Sequence, residues 1–93
     1  MKIKEQIKLR DEEDFYLLIN LDSASILKGY PSFFKINDVA KEIVTLIQNE
    51  DLTREQILQF VSEKYETDSS QTEILTFLDF LSKNDLCEEQ GHG

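Results

Sequence analysis

The sequence predicts an α+β domain in which a three-stranded antiparallel sheet is followed by three short helices. Three observations carry this. Apolar residues recur with period two up to Ile36, and from Asp38 they recur with a period near 3.6. The helical half is punctuated by residues that end one helix and cap the next. A length of 93 residues leaves no room for a second core, so residues 1–87 are expected to form one domain and residues 88–93 a tail.

Residues 2–10 alternate. Ile3, Ile7 and Leu9 share one face with Glu5 as the exception, while Lys2, Lys4, Gln6, Lys8 and Arg10 share the other, the pattern of a half-buried strand. Asp11 to Asp14 is an acidic turn. Residues 15–21 are rich in β-formers and apolar on both faces, which predicts a central strand. Asp22-Ser23 reads as a turn, and Ser25 to Lys28 as the start of a third extended segment, interrupted by Gly29-Tyr30-Pro31-Ser32. Pro31 lacks a ladder donor and so suits an edge. Phe33 to Ile36 resumes the strand pattern. Phe33, Ile36 and Ala40 also fit helical spacing, but Asn37 and Asp38 are strong caps that would then lie mid-helix, which favours the strand.

From Asp38 to about Gln48, Val39, Ala40, Ile43, Val44, Leu46 and Ile47 cover one helical face, and Asn49 to Asp51 break it. Thr53-Arg54-Glu55-Gln56 is a capping box opening a helix that is expected to bury Ile57, Leu58, Phe60, Val61 and Tyr65. Thr67 to Ser70 is the next break. Ser70-Gln71-Thr72-Glu73 reads as a second box, its helix closing at Asn84-Asp85 before a short strand at Leu86-Cys87. Short helices packed on a small meander make the fold winged-helix-like.

The formal charge is −9, from 19 acidic and 10 basic residues, and it is unevenly placed. Residues 41–93 hold 12 acidic and 4 basic groups, whereas residues 15–40 hold 2 of each. So acidic a chain predicts no general affinity for nucleic acid or anionic membranes. No apolar run reaches the ~18 residues of a membrane span and no signal-peptide pattern opens the chain, so a cytoplasmic location is expected. Cys87 is the single cysteine and His92 the single histidine. A disulfide or cysteine-based zinc framework is thereby excluded, no metal or cofactor is expected, and a stand-alone enzyme is the least favoured class.

The last helix carries more apolar surface than a core requires. At about 100° per residue from Ile74, Leu78 lies near 40°, Leu75 near 100°, Leu81 near 340°, Phe77 near 300° and Phe80 near 240°. The arc of about 220° greatly exceeds the ~100° stripe of a surface helix. Either both sides of the helix are covered or one flank lines a groove whose other wall is an edge strand containing Phe33-Phe34. An edge beside an apolar groove is the physical basis for binding an extended peptide: its backbone adds a strand and alternate side chains fill pockets.

The stretch Phe34-Lys35-Ile36-Asn37-Asp38-Val39-Ala40-Lys41-Glu42-Ile43 resembles the strand-to-helix junction of PqqD-like domains, the family of the pyrroloquinoline quinone biosynthesis protein D. Thr53 to Tyr65 and Ile74 to Leu86 continue the match, which spans about residues 3–87. It departs at residues 22–33, where the family's tight second hairpin is longer by several residues. The resemblance implies a recognition element that holds the leader segment of a ribosomally made precursor peptide and presents it to a peptide-modifying enzyme of radical, cyclase or protease type. It implies docking of the leader on the third strand beside the third helix. Carried onto this chain, the edge is Phe33, Phe34, Lys35 and Ile36, or Ile26 to Lys28 if the hairpin is tight. The helix flank is drawn from Ile74, Leu75, Phe77, Leu78 and Leu81, with Leu75 favoured. Pairing of two chains through the edge strand stays open. A winged-helix DNA binder and a scaffold subunit that binds no peptide are the alternatives. The first is disfavoured because the last helix offers Glu73, Asp79 and Asp85 against Lys83.

Overall fold

The computed structural model describes residues 1–65 and 68–88, and the side chains of all these except 65 and 68–70. Strands β2 (Ile7–Asp11), β3 (Tyr16–Asn20) and β4 (Phe33–Ile36) form an antiparallel sheet in that order, and β1 (Lys2–Ile3) pairs with β5 (Cys87–Glu88). Helix α1 (Ser23–Leu27) joins β3 to β4, and α2 (Asp38–Asn49), α3 (Arg54–Tyr65) and α4 (Asp68–Lys83) follow. The α+β class and the three-stranded antiparallel sheet are as the sequence predicts.

The first predicted strand is in fact two. The alternation fails at Glu5, and there the chain turns, with Ile7 N–H donating to Lys4 C=O at 3.1 Å. Lys2 then pairs with Glu88 and Ile3 with Cys87, so the short final strand exists but reaches one residue into the expected tail. The turn also breaks the polar face expected to join Lys4 to Lys8 and Arg10. The Lys4 ammonium lies 2.7 Å from Asp85 and 3.7 Å from Asp22.

Residues 23–27 are helical, not extended. Asp22 caps α1 by accepting from Ala24 N–H, and Gly29 at φ +94° ends the turn after it, so cap and stop enclose a five-residue helix. This helix occupies part of the stretch, residues 22–33, expected from the sequence to be longer than a tight hairpin. Ser32 C=O then accepts from Asn20 N–H at 2.8 Å and restores the ladder before β4.

Asn37 caps α2 through Ala40 N–H at 2.9 Å, in agreement with the sequence. Both arms of the Thr53–Gln56 box form: Thr53 N–H donates to the Gln56 side-chain Oε1 at 2.9 Å, and Gln56 N–H to the Thr53 hydroxyl at 3.1 Å. Helix α4 begins at Asp68, so Ser70 lies inside its first turn and not ahead of it; Thr67 is outside the described residues. At the other end Asp85 takes a left-handed φ of 59°, with Leu86 N–H donating to Leu81 C=O and Asp85 N–H to Ser82 C=O, a Schellman closure.

The core is one cluster in which Leu18 and Ile36 of the sheet meet Ile43, Val44 and Ile47 of α2, Ile57 and Val61 of α3, and Ile74, Leu78 and Leu81 of α4. Phe60, expected inside, is exposed. It lies about 60° around α3 from Ile57, on the margin of the buried stripe. The side chain of Tyr65 is outside those described. No helix among the described residues is long and apolar enough to cross a membrane.

Candidate functional site

Strand β4 is the last strand of its sheet, and no strand among the described residues pairs with its other side. Its register is Phe33 opposite Ile19, Phe34 opposite Leu18, Lys35 opposite Leu17 and Ile36 opposite Tyr16. Because Asn20 and Ser32 form a hydrogen-bonded pair, the alternation of an antiparallel ladder makes Phe34 and Ile36 the next residues bonded to β3. The N–H and C=O groups of Phe33 and Lys35 therefore point away from β3, towards the open edge. Side chains alternate independently: Phe34 and Ile36 face the core, and Phe33 and Lys35 the opposite side.

Beside this edge lies a groove of about 400 Å³, within the range of ligand pockets. Lys35 and Ile36 form the strand wall, and Asn37, Val39 and Ala40 at the start of α2 close one end. The helix wall is Thr72, Glu73, Thr76, Phe77 and Phe80 of α4, residues that share one helical face. An aromatic cluster ties the walls together. The Phe80 ring meets Phe34 edge-on at 5.0 Å and stacks on Phe77 at 5.6 Å. The charged margins are Lys35, whose ammonium lies 4.5 Å above the Phe15 ring, and Glu73 on the helix side.

The expected site residues fall into three groups. Lys35, Ile36 and Phe77 line the groove and Phe34 abuts it, whereas Phe33 is 64% exposed on the far face of the sheet. Ile74, Leu78 and Leu81 are wholly buried and present no surface to a ligand. Leu75 is exposed but on the opposite flank of α4, about 140° around the helix from Phe80. Ile26 lies in α1 and Lys28 caps it, so neither belongs to a strand edge. The wide arc on α4 thus divides into a buried centre, a groove flank at Phe77 and Phe80, and a separate flank at Leu75. Groove residues not among those expected from the sequence are Asn37, Val39, Ala40, Thr72, Glu73, Thr76 and Phe80. The available signal was Phe80 at the far end of the arc, with Thr76 and Glu73 at positions adjacent to it on the helix.

A second polar cluster holds the domain together away from the groove. The Ser25 hydroxyl lies 2.8 Å from Asp85 and 3.0 Å from Asp22, sharing its one proton between them, and Lys4 bridges the same two carboxylates. Hydrogen bonds from Lys4 and Ser25, with the charge of Lys4, hold the Asp85 carboxyl below its ordinary range against the opposing effect of burial. Burial pulls the Lys4 ammonium down, but the hydrogen bonds and charges of Asp85 and Asp22 outweigh it and leave Lys4 raised. Asp85 takes its left-handed conformation while held by this cluster, and Asp is among the few non-glycine residues that adopt that region as single residues. Among the described residues no group of three or more His, Cys, Asp or Glu is placed to hold a metal ion.

No family model matches the chain, and no curated protein does. Among solved structures, that of TbiB1 in complex with the TbiA(beta) leader peptide matches with a TM-score of 0.67 at 20% identity, covering 100% of this chain and 99% of that one. At that identity the likeness establishes a shared fold over the whole chain.

Proposed function

We propose that this chain is a peptide-recognition module. It takes the leader segment of a ribosomally synthesised precursor peptide as an added strand on β4, seated against the Phe77–Phe80 flank of α4, and presents the precursor to a partner modifying enzyme. The observation that carries this reading is the pair of outward-facing backbone positions, Phe33 and Lys35, along an edge flanked by an aromatic-lined groove. Strand addition needs that combination: backbone groups supply affinity, and the groove selects side chains. One further fact supports it: the matching fold of TbiB1 was solved with a leader peptide. The chain acts as a cytoplasmic binding partner with residues 1–87, extended by Glu88, as its recognition domain; it carries no catalysis or cofactor of its own. No specific observation favours the DNA-binding alternative.

The test is titration of a fluorescently labelled leader, taken from a precursor gene beside this one, followed by anisotropy. Binding in the micromolar range or tighter is expected. Failure to bind any precursor encoded in the same cluster, with the domain folded by circular dichroism, refutes the proposal. Binding to duplex DNA that weakens steeply with salt would revive the alternative.

A further inference from the structure

We infer that the face of the sheet turned away from the helices is a docking surface for a protein that presents an apolar centre ringed by carboxylates. We further assign that protein as the enzyme receiving the peptide-loaded chain, a step that rests on the peptide-binding function proposed above. The register places two rows across this face: Lys8, Ile19 and Phe33 in one, Arg10, Leu17 and Lys35 in the other. None of the six is buried and none belongs to the core cluster or its partly buried fringe. Leu21 continues the same parity beyond β3 and is 56% exposed. Helix α1, which leaves from that end of the sheet, exposes Ile26 and, at 87%, Leu27.

Charge selects the occupant. On a chain of net charge −9, three of the ten basic residues lie on this face around an apolar strip. One end is bounded by the acidic turn, where Glu12 lies 2.9 Å from the Arg10 guanidinium, so the positive field is centred on Lys8 and Lys35. A partner with carboxylates around an apolar centre matches it. A second copy meeting face to face sets Lys8, Arg10 and Lys35 against themselves. A second copy offering its acidic helices would make a heterologous, head-to-tail contact, which gives a ring or a filament and not a closed pair. Nucleic acid and anionic lipid are opposed by the net charge. The two faces of β4 also separate the two tasks. Phe34 and Ile36 turn towards the groove side while Phe33 turns outward, so a seated peptide leaves the outer face uncovered; only Lys35 borders both.

The test uses the full chain and two parallel titrations. One is with the purified modification enzyme encoded in the same gene cluster, the other with the labelled leader. The variants are Lys8→Glu/Arg10→Glu and Leu17→Thr, which lie on strands β2 and β3 and do not touch the groove. Expected is a loss of enzyme affinity on the order of tenfold for the charge reversal, a smaller loss for Leu17→Thr, and an unchanged leader Kd. Wild-type affinity for the enzyme should also fall as salt rises. Equal enzyme binding by wild type and both variants overturns the inference. So does leader binding without enzyme binding, which removes the docking surface and leaves the peptide function standing. Loss of both bindings in the wild type removes the peptide function first. Dimerisation in light scattering that the charge reversal abolishes transfers the face to a second copy, and binding to duplex DNA or anionic vesicles that it abolishes transfers it to those; each overturns the inference.

Discussion

Lys35→Pro isolates strand addition from every other way of filling the groove. The Lys35 N–H points away from β3, so proline deletes a donor on the open edge while the β3 ladder, carried by Phe34 and Ile36, keeps its bonds. The residue before a proline is confined to extended backbone, which Phe34 already adopts in β4. Edge strands tolerate proline, and the change in unfolding free energy should stay within about 1 kcal/mol. One backbone hydrogen bond contributes a net ~0.5–1.5 kcal/mol, so leader affinity should drop by a factor of about 2–13 relative to Lys35→Ala. The alanine control removes the same ammonium and its contact with Phe15 and retains the N–H. Anisotropy titration of both variants reads the difference, with urea unfolding as the check on fold. Equal Kd values for the two refute strand addition at this position. Phe33→Pro against Phe33→Ala repeats the comparison at the other outward residue and settles the matter should the first proline variant unfold.

Thr76 is exposed and lines the groove, so Thr76→Trp should fill it; overpacking of about 1–3 kcal/mol predicts leader binding ~5–150-fold weaker with stability unchanged in urea unfolding. Leu75→Glu, on the opposite flank, should leave leader affinity intact, whereas Leu78→Glu buries a charge at a fully enclosed position and should abolish the folded circular dichroism spectrum; a folded Leu78→Glu domain would overturn the packing described. The Lys4–Asp85 pair predicts a pH signature in Tm. Since the folded Asp85 pKa is lowered, its stabilisation is complete above the ordinary carboxylate value of about 3.9 and is lost as pH falls through the lower folded value. Lys4, raised, contributes fully below its ordinary value of about 10.4 and loses that contribution as pH rises through the higher folded one. The Tm gap between wild type and Asp85→Asn should therefore be flat from about pH 5 to 9 and shrink in acid; a gap that persists at acid pH refutes the assignment.

What was legible in the sequence follows the range of the forces involved. Thr53–Gln56 and Asn37 were readable because capping is decided within four residues, by groups whose partners are fixed by helix geometry. Residues 23–27 misled because Ser, Ala, Ile and Leu in so short a run carry no periodicity; Asp22 and Gly29, read as turn residues, were in fact cap and stop. Residues 2–10 misled for a different reason. Alternation persisted through a turn, and only Glu5 marked the break, while the partner that makes β1 a strand lies over eighty residues away in β5. The groove was legible as an excess of apolar arc on α4 but not as a side. Pattern arithmetic measures the width of an arc, whereas which flank opens on β4 is decided by how α4 is rotated against the core, a tertiary property. Hence Phe77 and Phe80 both line the groove, whereas Leu75, favoured from the sequence, lies exposed on the other flank.

Charge placement then explains why this groove suits a peptide better than a phosphate backbone. Of the acidity gathered in residues 41–93, Glu73 borders the groove, while Asp79 lies on α4 outside the groove lining and pairs with Arg54 at 3.1 Å. A duplex brought to α4 would set its phosphates against these carboxylates, and Lys83 in the last turn is too little to compensate. A peptide strand carries no such uniform charge. On the proposed function its backbone donors and acceptors would pair with those of Phe33 and Lys35, and its inward side chains would meet the Phe77 and Phe80 rings with Glu73 at the helix margin. Negative charge on the helices would oppose a phosphate backbone but not a neutral, extended chain at the β4 edge, and on the proposed function the rings of Phe34, Phe77 and Phe80 are what such a chain would meet beside that edge.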